Sequence, residues 1–204
     1  MIVIVDYGLG NLSSIGNMLR RIGSESLISR RASDVLNATQ LILPGVGSFD
    51  TGMINIHNFG LRPALDEAVL QKKIPTLGVC LGMQLFTQKS EEGRLPGLGW
   101  ISGETVKLTP SRAIKVPHMG WNYVKVCNSS HSLAQNFNAG SRFYFAHSYR
   151  VVCKEPQDVV MTTFYGQDFP TVVARDNIYG VQFHPEKSHR FGMQLLKNFV
   201  DRIC

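Results

Sequence analysis

The sequence predicts an α/β fold whose central sheet is mainly parallel, with a smaller antiparallel β section. In the first half, short apolar strands alternate with amphipathic segments of helical period. Such strands need right-handed crossover connections, which places neighbouring strands parallel to each other. In the second half the β-rich runs are shorter and more closely spaced, which is typical of antiparallel hairpins.

The first strand, turn and helix carry the clearest signals. Residues 2–5 are all apolar and β-branched, as in a strand buried on both faces. Asn11 is a good N-cap residue, and apolar residues then recur at helical spacing until Gly23. Further strands are predicted at 26–29, 41–43 and 75–79, with a turn at 44–47 and helices near Val35 and within 51–72.

The second half is predicted to be mostly β structure. Its β-rich runs lie near 104–108, 121–126, 143–146, 159–164, 172–174 and 179–183. A last amphipathic helix over about 190–203 is expected to pack on the sheet. Because no linker composition separates the halves, residues 1–204 are expected to form one domain.

Composition and charge exclude several classes of protein. With 44% hydrophobic and 18% charged residues, the chain is predicted to be a soluble globular protein. No apolar run approaches the roughly 20 residues that span a bilayer, and residues 1–6 lack the features of a signal peptide, so we expect a cytoplasmic location. The net charge of +6 is dispersed along the chain, which argues against nucleic-acid binding.

The sequence suggests neither a metal nor a cofactor. The four cysteines have no C-x-x-C spacing of the kind that binds zinc or forms a redox pair, and they suit a reducing compartment. The Gly8-Leu9-Gly10 segment lacks the third glycine and the later acidic residue of a dinucleotide-binding site. We therefore expect no cofactor.

Cys80 has the sequence context of a nucleophile. Gly78-Val79-Cys80-Leu81-Gly82 follows a predicted strand and precedes a helical pattern, which is the setting of a nucleophile elbow. The flanking glycines would remove side chains that collide at so sharp a turn. A helix N-terminus next to the sulfur would stabilise the thiolate.

His184 and Glu186 supply the partners that such a thiolate needs. Histidine can hold a proton and return it to a leaving amine near neutral pH. Pro185 biases His184 towards an extended backbone, so the two side chains can project together from a strand end. A Cys-His-Glu triad is therefore predicted from Cys80, His184 and Glu186.

The two segments resemble the signature motifs of class I glutamine amidotransferases. Four further segments, at 6–11, 44–49, 117–122 and 147–149, resemble the branch that forms the glutaminase subunits of imidazole glycerol phosphate synthases. The similarity runs in order along essentially the whole chain. It implies a flavodoxin-like domain with helices on both faces of the sheet. It also implies a heterodimer with a (β/α)8-barrel cyclase, which receives the ammonia and makes imidazole glycerol phosphate and AICAR in histidine biosynthesis.

The resemblance assigns roles to individual residues. Cys80 would form a glutamyl thioester, while His184, oriented by Glu186, would protonate ammonia and activate water. The amides of Leu81 and, after a peptide rearrangement, Val46 would form the oxyanion hole. The implied glutamine contacts are Gly47, Gln84, Ser148 and Tyr149, and the implied partner-interface or gating positions are Asn11, Trp121 and Lys187. His118 would shape the partner interface and is not part of the triad.

Three alternatives remain open. Paralogous subunits of the family supply ammonia for the amidination of surface-polysaccharide sugars, and the segment 187–193 and Arg150 resemble that branch. A standalone γ-glutamyl hydrolase would share the elbow and need no partner. In a binding module without activity, Cys80 would be a packing residue.

Overall fold

The computed structural model describes residues 1–111 and 114–203, so Cys204 lies outside the described residues. The strands are β1 (Ile2–Val5), β2 (Ser26–Ser29), β3 (Gln40–Gly45), β4 (Thr76–Cys80), β5 (Gly103–Lys107), β6 (His118–Tyr123), β7 (Lys125–Val126), β8 (Arg142–His147), β9 (Tyr149–Cys153), β10 (Val159–Phe164), β11 (Asp168–Arg175) and β12 (Ile178–Val181). The α-helices are α1 (Leu12–Arg21), α2 (Ala32–Leu36), α3 (Phe49–Asn58), α4 (Leu61–Asp66), α5 (Leu81–Leu85) and α6 (His189–Arg202). A π-helical turn, Glu67–Gln71, continues α4.

Eight strands form the central sheet, in the order β2-β1-β3-β4-β12-β11-β10-β7. The five from β2 to β12 are parallel, and β11, β10 and β7 continue the sheet in antiparallel pairings. Two small antiparallel sheets, β5 with β9 and β6 with β8, lie outside it. The predicted fold class is confirmed.

Helices cover both faces of the central sheet. Along β1, Val3 and Val5 belong to one apolar cluster, which also holds buried residues of α3 and α4. Ile2 and Ile4 belong to the other cluster, together with buried residues of α1 and α6. Alternate side chains of one strand thus enter two different cores, which explains why its sequence is apolar throughout.

One prediction about the strands was incomplete and another was wrong. The run at 179–183 forms the expected antiparallel hairpin with β11, but β12 also pairs in parallel with β4, placing Val181 beside Val79 in the middle of the sheet. The run at 121–126 is not one strand, because β6 pairs with β8 whereas β7 pairs with β10. In addition, β9 was not predicted, since its sequence lacks a clear alternation and only Val151 among its five residues is fully buried.

The predicted turn at 44–47 begins later than expected, because β3 continues through Pro44 to Gly45. Proline cannot donate a backbone hydrogen bond and is usually confined to strand edges. Pairing of β3 with β1 ends at Ile42, so Pro44 has a ladder partner only in β4. The carboxyl ends of β3, β4 and β12 therefore lie side by side at one edge of the sheet.

Candidate active site

Cys80 ends β4 in a strained backbone conformation. Its φ of 54° and ψ of −107° lie outside the regions that non-glycine residues favour. The short helix α5 begins at the next residue. An added Cβ would lie 1.8 Å from the Leu43 carbonyl oxygen at Gly82, and 2.6 Å from the Phe86 ring at Gly78. The two glycines thus permit the tight packing around the bend, as the sequence predicted.

His184 reaches the same edge from the segment that follows β12. Its backbone amide donates to the Tyr144 carbonyl oxygen at 2.9 Å, and its carbonyl oxygen accepts from the Ser188 hydroxyl at 2.6 Å. These two bonds fix the backbone of His184 on both sides. The side chain is thereby held at a defined position relative to Cys80.

The imidazole of His184 lies between Cys80 and Glu186. Its Nδ1 atom is 2.8 Å from Glu186 Oε1, and the two side chains are only 3% and 4% exposed. Burial alone would lower the pKa of His184, but hydrogen bonds and charges from Cys80 and Glu186 outweigh it and raise the pKa to about 10. This arrangement favours a protonated imidazole that can serve as a proton donor.

Two glutamine side-chain amides link Cys80 to the backbone of Tyr149 across the site. Gln182 Nε2 is 3.8 Å from Cys80 Sγ, and its Oε1 accepts from Gln84 Nε2 at 3.1 Å. Gln84 Nε2 also donates to the carbonyl oxygen of Tyr149 at 3.0 Å. Both glutamine side chains are buried.

A cleft of about 250 Å³ opens above Cys80 and His184. It is lined by both predicted oxyanion residues and all four predicted glutamine contacts, which are Val46, Leu81, Gly47, Gln84, Ser148 and Tyr149. Lys187 also lines the cleft, and its ammonium lies 5.7 Å from the centre of the Tyr144 ring. The structure therefore brings together nearly all of the residues predicted from sequence.

The other two predicted interface positions lie outside the cleft lining. The Asn11 side chain accepts a hydrogen bond from the Ser14 amide and caps α1. Trp121 is 43% exposed, and its ring stacks on His189 with the ring centres 5.6 Å apart. Trp121 is thus a surface residue and not part of the core.

His118 forms a hydrogen-bonded chain with His147, which lines the cleft. His147 Nδ1 is 2.8 Å from the Tyr149 carbonyl oxygen, so that nitrogen must carry a hydrogen. His147 Nε2 then accepts from His118 Nδ1 at 3.0 Å. Burial lowers the pKa of His118 to about 4 and that of His147 to about 3. Both rings are therefore neutral at pH 7.

Sequence reasoning missed two residues of the site. Glu92 lines the cleft, with Oε2 accepting from the Phe49 amide at 2.8 Å, and burial raises its pKa. It lies in a loop whose sequence gives no structural signal. Gln182 did have a signal, because it is a polar residue within an apolar strand pattern.

The structure also bears on metal binding and on membrane insertion. Among residues 1–111 and 114–203, no three His, Cys, Asp or Glu side chains are grouped so as to hold a metal ion. Within the same ranges, no helix is both long and apolar enough to cross a bilayer.

Comparison with known proteins identifies the class. The family model described as "Glutamine amidotransferase class-I" matches residues 3–203, and the chain belongs to this family of glutaminases. Its relatives include "Imidazole glycerol phosphate synthase subunit HisH 2" of Methanococcus maripaludis, which is 54% identical over 98% of both chains. The protein of the same name from Pseudomonas aeruginosa is 50% identical over 100% of both chains.

Solved structures show the same fold at low sequence identity. A structure described as "Crystal structure of glutamine amidotransferase" matches with a TM-score of 0.73 at 18% identity, covering 98% of this chain and 97% of that chain. The glutaminase domain of CTPS from Trypanosoma brucei, solved with bound acivicin, matches with a TM-score of 0.67 at 15% identity, covering 97% and 92%.

Proposed function

We propose that this chain hydrolyses glutamine with a Cys80-His184-Glu186 triad and delivers the ammonia to a cyclase subunit of imidazole glycerol phosphate synthase. The observation that carries the proposal is the buried imidazole of His184, held between the Cys80 sulfur and the Glu186 carboxylate. Nucleophile, proton carrier and orienting carboxylate are thus in contact, as acyl transfer requires.

The reaction proceeds in two stages. The Cys80 thiolate attacks the side-chain amide carbon of glutamine, and the C–N bond breaks as His184 gives its proton to the departing ammonia. The resulting glutamyl thioester is then attacked by water, whose proton passes to His184. Glutamate leaves as the C–S bond breaks, and the thiolate and imidazolium are restored.

The tetrahedral intermediates carry an oxyanion that needs two donors. The Leu81 amide, next to the nucleophile, supplies one of them. The Val46 amide supplies the other after a peptide rotation between Gly45 and Gly47. Two features support this rotation, since Val46 is exposed and Gly47 has a φ of 135°, which side-chain-bearing residues rarely adopt.

Glutamine is oriented by polar groups on the cleft wall. Both amide hydrogens of Gln84 are used within the protein, so its Oε1 is the atom left to accept a hydrogen bond from the substrate's α-ammonium group. Glu92 supplies a carboxylate for the same group, since the Phe49 amide engages only one of its oxygens. Gly47, Ser148 and Tyr149 complete the wall.

The partner covers the face of β6 that borders the cleft. Three alternate side chains of this strand are exposed, namely Met119 at 65%, Trp121 at 43% and Tyr123 at 56%. Such a row of large apolar groups is typical of a protein interface. Because Met119 also lines the cleft, a subunit docked on this row would receive ammonia without its release into bulk water. In this assembly Lys187 and Asn11 contact the partner.

The names of the relatives support the choice of partner and pathway, since they describe subunits of imidazole glycerol phosphate synthase. We therefore place the protein in histidine biosynthesis, with a barrel-shaped cyclase as partner in a heterodimer.

The first experiment measures glutamate formation by the chain alone and with its cyclase. We expect low activity alone, strong stimulation by the cyclase with its nucleotide substrate, and none with Cys80→Ser. Labelling by 6-diazo-5-oxonorleucine, mapped by mass spectrometry, should fall on Cys80. Rapid turnover of glutamyl peptides without gain from any partner would contradict the amidotransferase proposal.

A second experiment tests the pathway. The gene, expressed with that of its cyclase, should restore growth without histidine to a strain that lacks this subunit. Failure of an active, co-purifying pair to complement would reject the pathway while leaving the glutaminase chemistry intact. The same pair of proteins would then be tested with polysaccharide sugars as acceptors of the ammonia.

A further inference from the structure

We infer that Gln182 acts on the reacting sulfur itself, as a hydrogen-bond donor that stabilises the Cys80 thiolate. This inference rests on the proposed function, because it concerns the nucleophile of that reaction. It assigns a role to a residue outside the triad. The carrying observation is the 3.8 Å approach of Gln182 Nε2 to Cys80 Sγ inside a fully buried side-chain environment.

The direction of the Gln182 amide is fixed by its partners. The Tyr149 carbonyl oxygen can only accept, so the amide nitrogen of Gln84 must face it. The second hydrogen of that nitrogen then points to Gln182, which must present its oxygen. The nitrogen of Gln182 is consequently left facing the sulfur. A reversed amide would bring two donors together at Gln84 and leave an acceptor against the thiolate.

Strand pairing holds Gln182 at this position. Val181 is the register partner of Val79, so the residues that follow each of them, Gln182 and Cys80, continue side by side. The backbone amide of Gln182 donates to the Thr171 carbonyl oxygen at 2.9 Å, which anchors it on the β11 side. Burial keeps water from competing for the donor. A hydrogen bond to a charged acceptor is then stronger than one between neutral groups.

Other polar or titratable groups interact with Cys80 or line the same cleft. They are His184 with Glu186 behind it, Tyr7 after β1, His147 at the end of β8, and Glu92 and Lys187 on the cleft wall. Burial keeps the Tyr7 hydroxyl protonated by raising its pKa, and it lowers the pKa of His147 to about 3. All of these groups remain when Gln182 alone is replaced, so they affect wild type and variant alike.

The test is the pH dependence of Cys80 alkylation by iodoacetamide, followed by mass spectrometry on the full chain. Gln182→Met keeps similar volume but removes the donor. We expect the midpoint of the alkylation profile to move up by about one pH unit, so that alkylation at pH values below both midpoints slows about tenfold while the rates converge at high pH. Gln182→Glu, which keeps the shape but places a carboxylate beside the sulfur, should move it further.

The chain contains its own control. Cys127 is an exposed free cysteine, and its alkylation profile should be the same in every variant. A uniform loss of Cys80 labelling at all pH values, or an unchanged midpoint, would show that Gln182 only packs the site and would overturn the inference. If both replacements of Gln182 misfold, Gln84→Met removes the donor that orients Gln182. It should give a smaller shift in the same direction, and no shift would be decisive against the inference.

Because alkylation requires no turnover of glutamine, its result is independent of the proposed function. A chain that failed to hydrolyse glutamine while showing the expected shifts would contradict only the proposed function. A chain that hydrolysed glutamine without those shifts would contradict only the role of Gln182.

Discussion

His184 Nδ1 and Glu186 Oε1 lie 2.8 Å apart, with both side chains almost completely excluded from solvent. The carboxylate is thus a nearby counter-charge for the imidazolium, in surroundings where water screens it little. Removing this charge without changing the shape of the side chain should show how much it contributes to the pKa of His184 and to the rate of hydrolysis.

Glu186→Gln should lower the pKa of His184 from its raised value of about 10, because the amide offers no negative charge to oppose desolvation. We expect a kcat for glutamine hydrolysis about 100-fold lower and an alkaline limb of the pH–rate profile at lower pH. Steady-state rates of the complex between pH 6 and 10 provide the measurement. An alkaline limb that stayed in place would show that Glu186 does not set this pKa.

Gly82→Ala should disrupt the bend that carries Cys80, since the new methyl group would lie 1.8 Å from the Leu43 carbonyl oxygen. We expect a loss of about 3 kcal/mol or more in the free energy of unfolding. Gly16→Ala is the matched control. Gly16 lies within α1, and the atom nearest to an added Cβ there is 3.6 Å away. This replacement should stabilise the protein by about 0.5 kcal/mol. The free energy of unfolding of both variants is measured in urea, and equal changes in the two variants would contradict the steric argument.

The neutral pair of His118 and His147 should make stability depend on pH. Their pKa values are lowered to about 4 and about 3, whereas in the unfolded chain they titrate near 6.5. Between these limits the unfolded state binds more protons. Their contribution is therefore complete above about pH 6.5 and is lost as pH falls towards 4, by about 1.4 kcal/mol per pH unit for each histidine.

His118→Asn keeps a donor for His147 but removes one titrating group, so it should reduce the slope in that window by about 1.4 kcal/mol per pH unit. His57→Asn, on the exposed surface of α3, is the matched control. Unfolding free energies measured from pH 4 to 7 test this. A slope insensitive to His118→Asn would mean that the folded and unfolded chains protonate this ring to the same extent.

Tyr123→Asp should weaken binding of the cyclase, because it places a charge in the exposed row on β6. We expect the dissociation constant to rise at least about tenfold, with no change in thermal stability. Leu70→Asp changes a similarly exposed apolar residue that precedes β4, near the amino-terminal ends of the parallel strands, and should not affect binding. Isothermal titration of both variants with the cyclase is the measurement. Equal binding by wild type and Tyr123→Asp would show that the interface lies elsewhere on the protein.

Much of the site could be predicted because its signals are local. Gly78 and Gly82 flank Cys80, and Pro185 separates His184 from Glu186, so steric rules apply within a few residues. The helix α1 was predicted for the same reason, since Asn11 caps it in sequence and in structure.

What escaped prediction depends on contacts between distant segments. The position of β12 beside β4 depends on the order of the strands in the sheet, which no spacing in the sequence determines. Gln182 lies next to Cys80 only because of that strand order. Glu92 reaches the cleft from a loop, and its hydrogen bond to the Phe49 amide joins residues 43 positions apart.

The place of β12 inside the sheet also has a consequence for synthesis of the chain on the ribosome. Cys80 and Gln182, which directly follows β12, are separated by 102 positions, and β12 must enter between β4 and β11, both made before it. A nascent polypeptide that has already folded its first four strands therefore has Cys80 but not yet His184. On the proposed mechanism, hydrolysis of glutamine cannot begin until β12 has entered the sheet and brought His184 to Cys80.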